Sequence, residues 1–406
     1  MKSSKNLLQS LSQTALLTQE ETLEKIPKKG HLSIGIPKEV SFQENRIALV
    51  PESVALLVNN GHHVIVESNA GKISNFQDHD YSEAGAQIAF SPEEVYKNSD
   101  LILKVAPPTA EEIEFLKPKQ TLISALQLTT QPESFLKNLM AKKITAIAYD
   151  FLQDEEGIFS IIRSMSEIAG NASVLIAAEY LSNVNNGQGA MLGGISGIPP
   201  SEVIIIGAGT VGEFAARAAH GLGATVKVFD NSVYKLRRIQ SLIGSRIFTC
   251  IIQPNLLAKH LKSADVVIGA IRSKEGRTPL VVTENMVSEM KVGSVIVDVS
   301  IDQGGCFETS KPTNHTNPVF RKHGVTHYCV PNIASRVSKT ASYALSTIFA
   351  PILLNVGEEG GIDKVLKYNK GVRNGVYIFN GSLTNKNLGE MYHLKYKDLD
   401  LLVAGL

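Results

Sequence analysis

Cysteine is scarce in this chain: Cys250, Cys306 and Cys329 are the only three in 406 residues, and no two form a CxxC pair. An odd, dispersed set argues against a disulfide scaffold or a thiolate zinc site and fits a reducing, cytoplasmic setting. Net charge is almost absent as well. Lys and Arg total 40 against 39 Asp and Glu, a formal charge of +1, so no broad attraction to nucleic acid or anionic lipid is expected. No unbroken apolar run of about eighteen residues occurs, so no membrane-spanning helix is expected. Residues 1–30 place Leu7, Leu8, Leu11, Leu16 and Leu17 at helical spacing, but polar residues interrupt them and Glu20, Glu21 and Glu24 add acid. Secretory signals and mitochondrial presequences do not read that way, so this N-terminal extension is expected to be a partly amphipathic surface helix or arm. Internal repeats and low-complexity tracts are missing too.

What is present is an ordinary globular composition, 43% hydrophobic and 19% charged, in a length that favours two domains. From His31 onward, short β-branched runs alternate with helix-patterned segments, the signature of parallel α/β architecture. The pattern predicts strands over 32–36, 63–67, 101–105, 121–125 and 145–149, with helices such as 51–60 and 92–97 between them. A long helix over 166–181 and a polar, glycine-rich connection over 182–200 follow. A second series of strands is expected at 203–206, 225–229, 247–250, 266–270 and 294–299. The last segment, 338–406, holds one long apolar helix over 341–356 and a mostly polar tail. Too few core residues remain there for an independent unit, so it is assigned back to the first lobe.

Ile204, Ile205 and Ile206 lead straight into Gly207-Ala208-Gly209-Thr210-Val211-Gly212, which opens a helix and is followed by the strand TVKVF and Asp230. A GxGxxG is weak alone, but strand, turn, helix, strand and acid in this order mark a dinucleotide-binding unit. Gly207 permits the tight turn, Gly209 lets the backbone approach a pyrophosphate, and Gly212 lets the helix pack on the sheet. Asp230 stands where a carboxylate accepts bonds from both ribose hydroxyls and repels a 2′-phosphate. Asn231 and Ser232 follow it rather than an arginine, so NAD is favoured over NADP. Residues just past the carboxyl ends of strands line the ligand crevice of such sheets, which places Asp302 and Gln303 at the chemistry. His323 and His327 flank a predicted turn and strand instead of one helix face, so no metal is expected from them. Cys306 reads as a small structural residue.

The stretches GIPKEVSFQENRIALVPESV, LILKVAPP, RSMSEIAG, GAGTVG, DVSIDQGGCFETSKPT and GSLTNKNL occur here in that order. With them the chain resembles alanine dehydrogenases and the NAD-binding subunit of proton-translocating nicotinamide nucleotide transhydrogenases, from about His31 to near its end. The DQGGCFE stretch is the more similar to alanine dehydrogenases, and the Arg, Gln and Asp cluster of the transhydrogenase subunits is missing ahead of Met165. The resemblance implies two α/β lobes, each a doubly wound, mostly parallel sheet. A Rossmann NAD lobe, 161–339, is inserted into a discontinuous catalytic lobe formed by 31–160 and 340–406. It further implies that Arg46 holds the substrate carboxylate and that Lys104 binds its carboxylate or carbonyl oxygen. Asp302 is implied to be the catalytic acid, Asn332 to lie near nicotinamide and substrate, and Ser166, Asp230 and the glycine loop to contact the cofactor.

One departure matters. Alanine dehydrogenases carry a histidine, regarded as the general acid and base, where this chain has Gln127. An amide does not titrate in the useful range. Either Lys104 or Asp302 takes over proton transfer, or the reaction or substrate has changed. The segment Asn332 to Arg336 also lacks the family's proline, and Arg336 is expected to add positive charge near the cleft. The expected activity is reversible, NAD-dependent oxidative deamination of L-alanine, or a related small amino acid, to a 2-oxo acid and ammonium, in amino-acid catabolism. The alternative is an NAD-binding regulatory or transhydrogenase-like protein with reduced activity. The resemblance also implies a homo-oligomer, usually a hexamer.

Overall fold

The computed structural model of the chain describes residues 30–41, 43–127, 131–273 and 277–405. Apart from Gly30, the N-terminal extension lies outside the described residues. Strands β1 (Ser33–Ile36), β2 (His63–Glu67), β3 (Gln87–Ala89), β4 (Leu101–Leu103), β5 (Thr121–Ser124) and β6 (Thr145–Ala148) form the parallel part of one sheet. A second sheet takes β7 (Glu202–Ile206), β8 (Thr225–Phe229), β9 (Phe248–Cys250), β10 (Val266–Gly269), β11 (Val295–Asp298), β12 (Val319–Lys322) and β13 (Val325–Tyr328). The chain then returns, and β14 (Val376–Phe379) and β15 (Ser382–Leu383) add antiparallel strands beside β6.

Strand order is β15-β14-β6-β5-β4-β1-β2-β3 in the first sheet and β12-β13-β11-β10-β7-β8-β9 in the second. Each therefore reverses direction once, between β1 and β4 and between β7 and β10, and these switch points are where ligand crevices open. Central strands such as β5, β7 and β11 are buried nearly throughout, as parallel strands covered on both faces must be.

Two long helices join the lobes. Helix α1 (Ser160–Leu181) begins two residues after the end of the turn made by Asp154, whose carboxylate accepts bonds from Ile158 N–H at 2.8 Å and Ser160 Oγ at 2.7 Å. That side-chain turn starts the helix earlier than the predicted residue 166. Helix α2 (Thr210–Gly221) follows the glycine turn, and α3 (Ser338–Glu359) outruns its predicted 341–356. The stretch Ile333–Glu359 is long and apolar enough, by length and composition alone, to cross a membrane, as the core helix of a folded domain also can be. Half of it is buried inside the protein: Leu345, Phe349, Leu353 and Val356 sit in the core beneath the first sheet. The predicted strands recur, most of them a residue or two shorter. Strands β3 and β12 and the β14–β15 pair were not legible, because each is short and defined by the strand it pairs with, whereas the turn and strand expected after His323 recur as β13.

Candidate functional site

Beyond β7 the chain turns through 207–209 into α2. Gly207 adopts φ +113, and a Cβ on it would lie 2.4 Å from Ala270 O at the end of β10, so no other residue fits. A Cβ on Gly212 would lie 1.8 Å from Gly207 O, whereas one on Gly209 would meet open space. The turn is thus packed on its inner side and open on its outer side. No side chain caps α2 at Gly209, so its first N–H groups, those of Thr210 and Val211 among them, suit an anionic ligand. At the end of β8, Asp230 Oδ2 accepts Ala208 N–H and Oδ1 accepts Ser232 N–H, both at 2.7 Å. The carboxylate pins the turn and keeps lone pairs for ribose hydroxyls. Ser166 is half-buried on α1, one turn before Gly170, where α1 crosses α2. Open-faced turn, uncapped helix start and strand-end carboxylate together fit a dinucleotide.

In the first lobe, Arg46 grips Glu44 with two parallel bonds, Nε to Oε1 at 2.7 Å and an Nη to Oε2 at 2.6 Å. Its other Nη lies 3.3 Å from Met165 Sδ on α1. Burial alone would raise the Glu44 carboxyl; the charge and bonds of Arg46 outweigh it and hold Glu44 below the ordinary range. The guanidinium has more N–H donors than these contacts use. Asn332 joins the same wall: its amide donates to Gln43 O at 3.5 Å, and Ser335 Oγ, one turn on, accepts Asn45 N–H at 2.8 Å and donates to Glu44 Oε1 at 3.1 Å.

Lys104 follows β4 directly, at the switch point. Its ammonium is wholly enclosed, 3.1 Å from Glu39 Oε2 and 2.7 Å from Glu112 Oε1. Burial works to lower its pKa, but the two carboxylates win and raise it, so Lys104 is charged. Glu39 moves up, since burial outweighs the pull of Lys104 and the neighbouring Glu44 and Glu112 add to it.

Gln127 stands just beyond β5 with φ +43, a left-handed backbone. The N–H of the preceding Leu126 donates to Asp150 Oδ2 at 3.1 Å. Asp150 lies in a 3₁₀ turn, Tyr149–Phe151, directly after β6, and Asp302 in another, Val299–Gln303, directly after β11. Arg272 is fixed beside Asp302 from both sides: Ile271 N–H donates to Ser300 Oγ and Ser273 N–H to Gln303 Oε1, both at 3.0 Å. Both carboxyls are pushed above the ordinary range, first by burial. Arg272 and Leu126 N–H pull Asp150 back down, as does Arg46; Arg272 pulls Asp302 down while Asp150 pushes it up. Asp302 is exposed as a residue even though surrounding protein crowds its carboxylate.

The structure thus gathers Arg46, Asp150, Arg272 and Asp302 into one electrostatic group, with Lys104 linked through Glu39. Asp150 and Arg272 were not singled out from sequence, although the strand-end rule that selected Asp302 applies equally to Asp150. Glu39, Glu44 and Glu112 carry no local pattern. Arg336 does not add free charge to the cleft: it pairs with Glu179 Oε2 at 2.5 Å and lies over the Tyr328 ring, which corrects that expectation. Cys306 is fully buried, with its thiol pushed well up by burial and by Asp298, as a structural cysteine should be. His323 pairs with Glu284, while His327 is buried between Thr309 Oγ1 and Val325 O. Among the described residues no cluster of metal ligands occurs.

Comparison with known proteins gives a consistent result. The family profile described as "Alanine dehydrogenase/PNT, N-terminal domain" matches residues 35–169, and "Alanine dehydrogenase/PNT, C-terminal domain" matches 173–386. Alanine dehydrogenase of Staphylococcus epidermidis is 39% identical over 373 residues, 91% of this chain and 99% of that protein. Alanine dehydrogenase 2 of Staphylococcus aureus is 38% identical over 370 residues, again 91% and 99%. A solved L-alanine dehydrogenase superposes with a TM-score of 0.84 at 35% identity, covering 89% of this chain and 99% of its own. The transhydrogenase from Sinorhizobium meliloti gives 0.74 at 25% identity, covering 87% and 99%.

Proposed function

Because the chain belongs to the alanine dehydrogenase/PNT family and is an amino-acid dehydrogenase, we propose that it catalyses the reversible, NAD-dependent oxidative deamination of L-alanine or a related small amino acid. The products are a 2-oxo acid and ammonium. The observation that carries this reading is the pairing of an open dinucleotide cradle with a cleft holding Arg46, Asp150, Arg272 and Asp302. When bound, the nicotinamide supplies the hydride acceptor. Gly207, Ala208, Gly209, Thr210, Val211 and Gly212 hold the pyrophosphate through backbone N–H groups, and Asp230 takes the ribose, which selects NAD over NADP. Ser166 lies beside them.

In this reading Arg46 receives the substrate carboxylate in a planar, two-point grip, with Glu44 holding the guanidinium in place. Lys104 contributes positive field for the oxygen that develops charge at the α-carbon, from behind Glu39 rather than by open contact. Asn332 closes the wall on the nicotinamide side. Asp302 orients the water or ammonia that exchanges at the imine carbon, and Gln127 offers hydrogen bonds but no proton exchange.

A second reading, an NAD-binding regulatory or transhydrogenase-like protein, is favoured by Gln127 and by the complete enclosure of Lys104. One experiment separates them. Purified protein is mixed with NAD⁺ or NADP⁺ and a panel of L-amino acids, and absorbance of the reduced nucleotide is followed at alkaline pH. Turnover with NAD⁺ and L-alanine, or a near relative, is expected, with little from NADP⁺. Nucleotide binding without turnover on any amino acid moves the assignment to the second reading.

A further inference from the structure

Resting on the dehydrogenase reading, we propose that Asp150 is an acid–base catalytic residue of this cleft, exchanging protons with the water that hydrolyses the imine beside the non-titrating Gln127. Its place in the fold is the first support. Strands β5 and β6 are parallel neighbours, and Gln127 and Asp150 follow their carboxyl ends. The bond from Leu126 N–H to Asp150 Oδ2, at 3.1 Å, ties the carboxylate to the backbone immediately before Gln127. Asp150 therefore occupies the same corner of the cleft as Gln127, held by a main-chain donor instead of a mobile side chain.

The second support is its surroundings. Asp150 is the carboxylate that senses both Arg46 on its own lobe and Arg272 on the other, and it acts in turn on Asp302. A substrate carboxylate held on Arg46 has its α-carbon one bond away, within the same charge group as Asp150 and Asp302. Tyr149, directly before Asp150, donates its hydroxyl to Val105 O at 2.7 Å and is pushed well up by burial and by Asp150, so it stays protonated. Burial raises Asp150 itself, which suits a group that must both take and return a proton. Arg272, fixed by the Ser300 and Gln303 bonds, keeps two carboxylates tolerable at close quarters.

The proton balance is as follows. As water adds to the protonated imine (C=NH2⁺) left by hydride loss, the C–O bond forms, the C=N π pair returns to nitrogen to give a neutral amine, and the proton released from water passes to the Asp150 carboxylate. Asp150 then gives that proton to the amine nitrogen as the C–N bond breaks. The hydroxyl oxygen's electron pair forms the carbonyl, and its proton returns to Asp150 and thence to solvent.

The test uses the full chain, with Asp150→Asn, Asp150→Glu and the double variant Asp150→Asn with Gln127→His. The readouts are kcat and kcat/KM for L-alanine across pH, together with titration of NADH by its own fluorescence, free of tryptophan because the chain has none. Asp150→Asn should keep NADH affinity, lose about 10²- to 10⁴-fold in kcat and lose the acid limb of the pH profile. Asp150→Glu should retain an acid limb, and the imidazole of the double variant should restore part of the rate. A slow Asp150→Asn whose acid limb is intact, or an unaltered rate, overturns the assignment. Failure of the unaltered protein to oxidise any amino acid, despite binding NADH, overturns the dehydrogenase reading instead.

Discussion

Asp298, the last residue of β11, holds together the loop that presents Asp302. Its Oδ2 accepts Cys306 N–H at 3.1 Å and Ser310 Oγ at 2.7 Å, and its Oδ1 accepts Ser300 N–H at 3.1 Å. Burial nevertheless pushes its carboxyl up to about 6, while burial pushes the imidazole of His327 down to about 4. Below about 6 the folded Asp298 keeps a proton that an unfolded aspartate, with a pKa of about 3.9, has released. Its contribution to stability is thus complete below the unfolded value and is lost as pH rises through about 6, an effect on the order of 1–3 kcal/mol. His327 works the other way, since the unfolded chain binds its proton more readily, and stability from this source rises with pH between about 4 and the ordinary histidine value. Asp298→Asn should therefore remove a falling component and steepen the rise of stability with pH over this window. Urea midpoints measured across pH for both proteins check this; parallel curves would place the Asp298 proton elsewhere. At this scale the glycine turn and Asp230 were legible because their meaning lies in local spacing. Asp150 and Arg272 were not, because a carboxylate and a guanidinium on different lobes acquire meaning only from each other.

At the scale of elements, the nucleotide cradle depends on how closely α1 crosses α2. A Cβ on Gly170 would lie 2.5 Å from Val211 O, backbone that cannot swing aside. Gly170→Ala should push the helices apart, costing about 1–3 kcal/mol. It should also weaken NADH binding, because the first turn of α2 and Ser166 move with them. Thermal unfolding and NADH titration are the checks, and a variant with normal melting and normal affinity would show that the crossing has slack. The elements themselves were largely readable. Strands buried on both faces, such as β7 and β10, appear as continuous β-branched runs, and glycines punctuate them. Strand β14, with the sequence VYIF, has the same composition, yet nothing near it in sequence says that it pairs with β6, more than two hundred residues earlier. Edge and returning strands are decided by partners.

At the scale of the whole molecule, Gln43 latches one lobe to the other. Its Nε2 donates to Thr316 Oγ1 at 2.7 Å and its Oε1 accepts His315 N–H at 2.6 Å, while its carbonyl accepts from the Asn332 amide at 3.5 Å. Gln43→Ala removes the two side-chain bonds and should favour an open cleft. At about 0.5–1.5 kcal/mol for each bond, about 1–3 kcal/mol for the two, KM for the amino acid should rise roughly five- to 150-fold while NADH affinity holds. Steady-state kinetics with a parallel NADH titration measure this split; an unchanged KM would mean that the latch does not govern closure. The α/β class, the glycine turn of the nucleotide cradle and the positions of the strand ends can be read along the chain, because they follow from apolar periodicity and from glycines at short fixed intervals. The folded chain settles the rest: Lys104 is sealed between Glu39 and Glu112, Arg336 is spent on Glu179, and Asp150 comes under the charges of Arg272 and Asp302. Charges far apart in the chain are chosen by the cleft that folding builds around them, and their pairing and desolvation exist only once it has formed.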